Sequence, residues 1–156
     1  MGDVWVVRAG PGGRHAEAFE RAGIVAVSVE GVPSIVGLTW EEVSAQATRQ
    51  PGENPARARG HAAMLYRFAN ELKTGDLVLT PEPDGAGLLV GRLINDYEYR
   101  EHAADGHRHV RRVEWLGHVS RSDLSQQARQ TIGAPMAVFK PGAQAAIREA
   151  LAALAR

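Results

Sequence analysis

The run Val4-Trp5-Val6-Val7 leads straight into Arg8-Ala9-Gly10-Pro11-Gly12-Gly13. Side chains alternate along a strand, so Val4 and Val6 share one face and Trp5 and Val7 the other. Both faces are apolar, and such a strand needs cover on both sides; a sheet with one wet face does not provide it. Glycines at 10, 12 and 13 permit backbone angles closed to other residues and let a second backbone or a ligand come near. A helix predicted over residues 14–22 would aim its free N–H groups at that turn, a seat for an anion. The junction reads either as a phosphate or nucleotide site or as a bare strand-to-helix turn. It has neither P-loop nor GxGxxG spacing.

A chain of 156 residues is long enough for one domain, residues 1–156, with its own core. The absence of cysteine excludes disulfides and thiolate metal sites and suits a reducing compartment. No segment has the apolar length of a signal peptide core or a membrane span. The expectation is a soluble, cytoplasmic protein with no membrane partner. Basic and acidic residues balance at 18 each, which argues against strong non-specific affinity for nucleic acid. The charges are nevertheless segregated: acids crowd residues 17–42 and 76–84, while arginines and histidines crowd residues 100–121. A neutral chain can carry a basic face.

The remaining elements follow from capping and periodicity. Residues 23–29 read as a strand, and residues 30–37, with Gly31, Pro33 and Gly37, as a loop. Thr39 with Glu42 predicts a capping box opening a helix that ends before Pro51. Asn54-Pro55 predicts the next helix start, and His61, Leu65, Phe68 and Leu72 give that helix one buried stripe. Strands are expected over residues 76–80, 88–99, 109–119 and 136–139, those at 88–99 and 109–119 pairing as a wide hairpin. Helices are expected over residues 122–132 and 143–155, the last with Ile147, Leu151 and Leu154 on one face. About six strands and four or five helices suggest an α+β fold: a small, largely antiparallel, partly closed β-barrel flanked by helices.

The ordered set Trp5-Val6-Val7-Arg8-Ala9-Gly10, Gly23-Ile24-Val25-Ala26-Val27, Tyr66-Arg67-Phe68 and Lys73-Thr74-Gly75-Asp76-Leu77-Val78 makes up a recognisable first half. Gly91-Arg92-Leu93-Ile94-Asn95-Asp96-Tyr97-Glu98-Tyr99, Val113-Glu114-Trp115-Leu116 and Ser120-Arg121-Ser122-Asp123-Leu124 complete it. Over about residues 3–140 the chain resembles the N-terminal recognition domain of Mrr-type, modification-dependent restriction systems. That domain is similar to the EVE and YTH modules of the PUA-like superfamily. The resemblance implies a PUA-like barrel that extrudes one nucleotide and holds its modified base in an aromatic-walled pocket. Unstacking costs a few kcal/mol, which a fitted pocket can recover. A methyl group adds only about 1 kcal/mol by burial, so selectivity also requires the pocket to disfavour the plain base. Where that family carries Gly-Trp after the second strand, this sequence has Ser28-Val29; Trp40 is the substitute wall.

Each residue of the expected site has two readings. Arg8 grips a phosphate or base edge, or pairs structurally with Asp76 or Asp96. Gly10, Gly12 and Gly13 admit a ligand, or merely turn the chain. Ser28 bonds the base edge, or caps a strand end. Tyr97 and Tyr99 share a strand face and form a stacking wall, or brace the barrel. Trp5 and Trp115 are expected in the core. Arg108, Arg111 and Arg112, beside His107 and His109, form a phosphate clamp, or a solvated strand edge that discourages aggregation. His102, Asp105, His107 and His109 include metal-ligand types but lack a complete set, and no nucleophile elbow is present. The expectation is a non-catalytic reader with no cofactor. Its partner would be double-stranded DNA carrying 5-methylcytosine, with N6-methyladenine second. RNA of the same modification class and a PUA-like enzyme acting on a nucleotide are the alternatives. A restriction role would need a separate nuclease subunit.

Overall fold

The computed structural model describes residues 2–52, 54–85, 87–103 and 106–152. Strand β1 (Val4–Val7) is buried along its whole length. It lies between β3 (Leu77–Pro81) and β7 (Val138–Phe139). Val4 faces Leu77 in parallel register, and Val6 faces Phe139 antiparallel. The double-sided apolar pattern has the predicted result. Trp5 and Val7 join a core with Phe19, Leu65, Phe68, Val78 and Leu89. Val4 and Val6 join a second core with Leu79, Leu88, Ile132, Ile147 and Leu151. Each such fully buried aliphatic side chain contributes about 1.5–3 kcal/mol.

The sheet runs β2 (Ile24–Val27), β6 (His109–Ser120), β4 (Gly87–Leu93), β3, β1, β7, with β5 (Glu98–Tyr99) also on β6. Every pairing is antiparallel except β1 with β3. The fold is therefore α+β, a curled mixed sheet forming a half-barrel with helices on both faces. The β4–β6 register shifts between Val90 and Gly91, a bulge that bends the pair. A Cβ on Gly91 would stand 2.8 Å from the Trp115 ring, so glycine is required where the strands curl together.

Helices α1 (Ala16–Ala22), α2 (Trp40–Thr48) and α3 (Pro55–Asn70) cover one face; α4 (Gln126–Ile132) and α5 (Gln144–Ala152) cover the other. The capping box of Thr39 and Glu42 is present on α2, and Asn54 Oδ1 accepts from the Ala56 and Arg57 amides at the start of α3. Of the predicted stripe, Leu65, Phe68 and Leu72 are buried, whereas His61 is only half-buried and faces a cavity. From α5, Gln144 Oε1 accepts from Val4 N and its Nε2 donates to Val4 O, completing the β1 ladder where β7 does not reach. Leu154, expected in the α5 stripe, lies outside the described residues. Among the described residues no helix is long and apolar enough to cross a membrane.

Two expectations are corrected. The helix predicted from residue 14 begins at Ala16, preceded by a 3-10 turn over Pro11–Gly13. Positive φ angles at Gly10, Gly12 and Gly13 hold this stretch out of the right-handed helical region. The single strand expected over residues 88–99 breaks after Leu93 and resumes as β5. The cause lies on the neighbouring strand: Arg111 Nε donates to Asn95 O and draws the chain out of the ladder.

Arg111 is only 1% exposed. Besides Asn95 O, its Nη1 donates to Phe68 O and Leu72 O at 3.0 and 2.8 Å. The guanidinium thus closes the C-terminal end of α3, where a cation is favoured. Burial pushes its pKa down, while Asp96 and Asp76 act the other way. Arg111→Met is expected to cost at least about 3 kcal/mol, because it strands buried carbonyls that a charged donor served; urea denaturation measures it.

At the other end of β6, His118 links α1 to the segment that follows β3. Its Nε2 lies 2.9 Å from Glu20 of α1 and its Nδ1 3.1 Å from Glu82, beyond β3. Glu82 and then Glu20 raise the imidazole pKa against partial desolvation. A raised folded pKa gives stability that is fully present below the unfolded value of 6.5 and lost as pH rises through the folded value. His118→Gln is therefore expected to lower the urea midpoint at about pH 6 and to leave it unchanged at about pH 9.

Candidate functional site

A cavity of about 730 Å³ opens between the β1–α1 turn, the end of β2, one face of α3 and the segment entering β7. Its apolar surface comes from Phe19 of α1, Ala26 and Val27 of β2, Met64 of α3 and Val138 of β7. Its polar surface comes from Arg8, Arg14, His15, Ser28, His61, Arg67 and His107. The volume and the mix of apolar floor and few polar groups are those of a small-molecule or single-nucleotide site.

Three of the predicted residues meet there: Arg8, Gly10 and Ser28. Neither alternative partner proposed for Arg8 is used. Its Nε donates to Met136 O at 3.0 Å and its Nη2 to Ala134 O at 2.7 Å and Ile132 O at 3.3 Å. These bonds collect the end of α4 and fix the guanidinium at the cavity mouth. Asp76 instead accepts from Trp5 Nε1, Asp3 N and Lys73 N. Burial, then nearby Arg121, lowers the Arg8 pKa. Gly10 sits at φ 76°, and a Cβ there would stand 2.6 Å from the His15 ring.

The helix-terminus anion seat is corrected. Gly13 N donates to Gly10 O, Arg14 N to Pro11 O and His15 N to Ala9 O, so the turn's own carbonyls occupy the amides. Gly13 is buried against the Pro81 carbonyl, and Gly12 is exposed with open space beside it; neither lines the cavity.

The aromatic wall is also different from the expected one. Tyr97 and Tyr99 do share a neighbour, His109, at ring distances of 5.9 and 5.1 Å. Tyr97 OH contacts His109 Nδ1 at 2.7 Å and accepts from Ile35 N, and burial pushes its pKa up to about 12. His109 Nε2 lies 3.0 Å from Val32 O. Tyr97 therefore braces the core. Tyr99, with Arg108 and Ser28, lines an adjacent depression of about 790 Å³. Trp40 stacks edge-on with Tyr66 at 5.8 Å, away from the cavity lining. The aromatic rings that do line the cavity are Phe19, His15, His61 and His107, the last packing edge-on to Phe19 and His15 at 5.4 and 5.1 Å.

The arginine clamp on β6 does not stand as a unit. Arg111 is buried under α3, Arg112 Nε pairs with Glu98 at 2.8 Å, and Arg108 remains exposed on the rim of the adjacent depression. Among the described residues no cluster of three metal-ligand types occurs; Asp105 lies outside them.

Sequence reading missed Arg14, His15, Met64 and Arg67. Gly60, His61, Ala63, Met64 and Arg67 recur at helical spacing beside the buried stripe of α3, a signal hidden by its polar members. Arg67 Nη1 donates to Val138 O at 2.8 Å, fastening α3 to β7. Arg14 Nε donates to His15 Nε2 at 3.2 Å, which requires that nitrogen to be unprotonated. Burial, His107 and Arg14 all lower the His15 pKa accordingly.

Together these features define a helix-flanked half-barrel with a donor-lined cavity at the end of its second strand. Residues 16–140 match the family described as a domain of unknown function, DUF8426, and the chain belongs to that family. No curated protein matches it.

The turn that shapes the cavity is testable by differential substitution. Gly10→Ala and Gly12→Ala both meet backbone strain of about 1–3 kcal/mol, but only Gly10→Ala drives a Cβ into His15. Gly10→Ala is expected to be the more destabilising by thermal denaturation.

Proposed function

We propose that this protein is a non-catalytic reader of modified nucleic acid that holds one extruded base in the cavity beside α3. The observation that carries this reading is the convergence of Arg8 and Gly10, from the β1–α1 turn, and Ser28, at the end of β2, on an apolar-floored cavity of about 730 Å³. The likeness to Mrr-type recognition domains, with their PUA-like fold, supports it. In this reading Phe19, Met64 and the imidazole of His15 receive the faces of the base. Ser28 meets its polar edge, and Arg8 and the exposed Arg108 hold the flanking phosphates. The resemblance makes duplex DNA with 5-methylcytosine the first ligand to test and N6-methyladenine the second. Single-stranded RNA is the competitor that separates a DNA reader from an RNA reader.

Gly60 offers a clean test. It lies inside α3 at the cavity wall, and a Cβ there would meet nothing within 4 Å. Gly60→Leu fills the cavity while removing a helix-interior glycine, which favours the fold by about 0.5–1 kcal/mol. Fluorescence anisotropy with matched duplexes is expected to show a preference for one modified duplex that survives added salt. That preference is expected to fall more than about tenfold in Gly60→Leu with no loss of thermal stability. Equal binding to all duplexes, fading with salt, would overturn the reading.

A further inference from the structure

Arg8 and Arg14, from the β1–α1 connection, and Arg67, from α3, line the cavity, and among the described residues no Asp or Glu lines it with them. Each guanidinium is anchored through only part of its fork: Arg8 by Nε and Nη2, Arg67 by Nη1, Arg14 by Nε. Arg8 Nη1, Arg67 Nε and Nη2, and both terminal nitrogens of Arg14 make no hydrogen bond to a described residue. Guanidinium groups are donors only, so their missing acceptors must come from outside the protein. A bare methyl group supplies none, and covering these donors with one would leave them desolvated and unserved. The lining also contains no Trp or Tyr with which to cage a methyl group. An anionic oxygen pair, in contrast, matches the planar fork bidentately.

We infer that the ligand brings an anionic oxygen group into this cavity beside its planar ring. The group is either an acidic substituent on the base or the phosphate of the captured nucleotide itself. The inference rests on the base-binding reading above and names the chemistry that the base must carry. Arg14 is the specificity residue to test, because it is exposed and, among the described residues, its side chain bonds only to the adjacent His15.

The experiment is anisotropy with duplexes that differ at one cytosine: unmodified, 5-methyl or 5-carboxyl. It is read at about 100 and 300 mM salt, with deoxycytidine and deoxycytidine 5′-monophosphate as competitors. Binding of the 5-carboxyl duplex at least about tenfold tighter than the 5-methyl duplex, with the difference erased by Arg14→Gln, supports the acidic substituent. Competition by the monophosphate but not by the nucleoside, weakened by Arg14→Gln, supports the phosphate. A 5-methyl preference untouched by Arg14→Gln, with nucleoside and monophosphate competing equally, overturns the inference and leaves the reader standing. Failure of every duplex and both competitors to bind overturns both.

Discussion

The charge of Arg111, sealed between β6 and α3, is the constraint on which the rest of the structure hangs. A buried guanidinium is tolerated only where its donors are met, and here three backbone carbonyls from two segments converge on it. Meeting them ends α3, turns the chain after Leu93 and sets the distance between helix and sheet. Asp76 extends the arrangement. It lies near enough to act on Arg111 and itself collects the Trp5 indole and the Asp3 and Lys73 amides. One buried cation and one buried carboxylate therefore align β6, α3, β3 and β1.

The cavity inherits its shape from that alignment. Once α3 is fixed at its C-terminal end, its Gly60–Arg67 face stands opposite the β1–α1 turn, and Arg67 closes the far side by reaching Val138. Arg8 does the same work from β1 by gathering the carbonyls that follow α4. Both arginines hold the scaffold with one part of the fork and face the cavity with another. The side chains that hold the scaffold are thus the ones that line the cavity, and a ligand group placed there would meet donors fixed by packing.

Features set by neighbours in sequence were legible in it. The Thr39–Glu42 box, the Asn54-Pro55 start, the two-sided burial of β1 and the β4–β6 pairing all follow from local chemistry or from period. What escaped depended on distant partners. Arg8 finds its acceptors more than a hundred residues away, so its choice of carbonyls over Asp76 or Asp96 has no local sign. Arg111 looks like its neighbours Arg108 and Arg112 until α3 is laid over it. At the site, Arg8, Gly10 and Ser28 were legible because a strand end and a glycine turn announce themselves. Met64 and Arg67 were not, because a helix face lining a cavity has the same polarity as one facing water.

The place of β1 in the sheet also governs the order in which the molecule can assemble. Its partners, β3 and β7, begin 73 and 134 residues after it, and its edge at Val4 is completed by Gln144. During synthesis β1 must therefore wait 73 residues for β3 and 134 for β7, with its four apolar side chains uncovered on at least one side. Such non-local, partly parallel pairing folds slowly. The cavity closes late, since Arg8 and Arg67 acquire their carbonyls only with the segment around β7. A chain truncated before β7 would lack it.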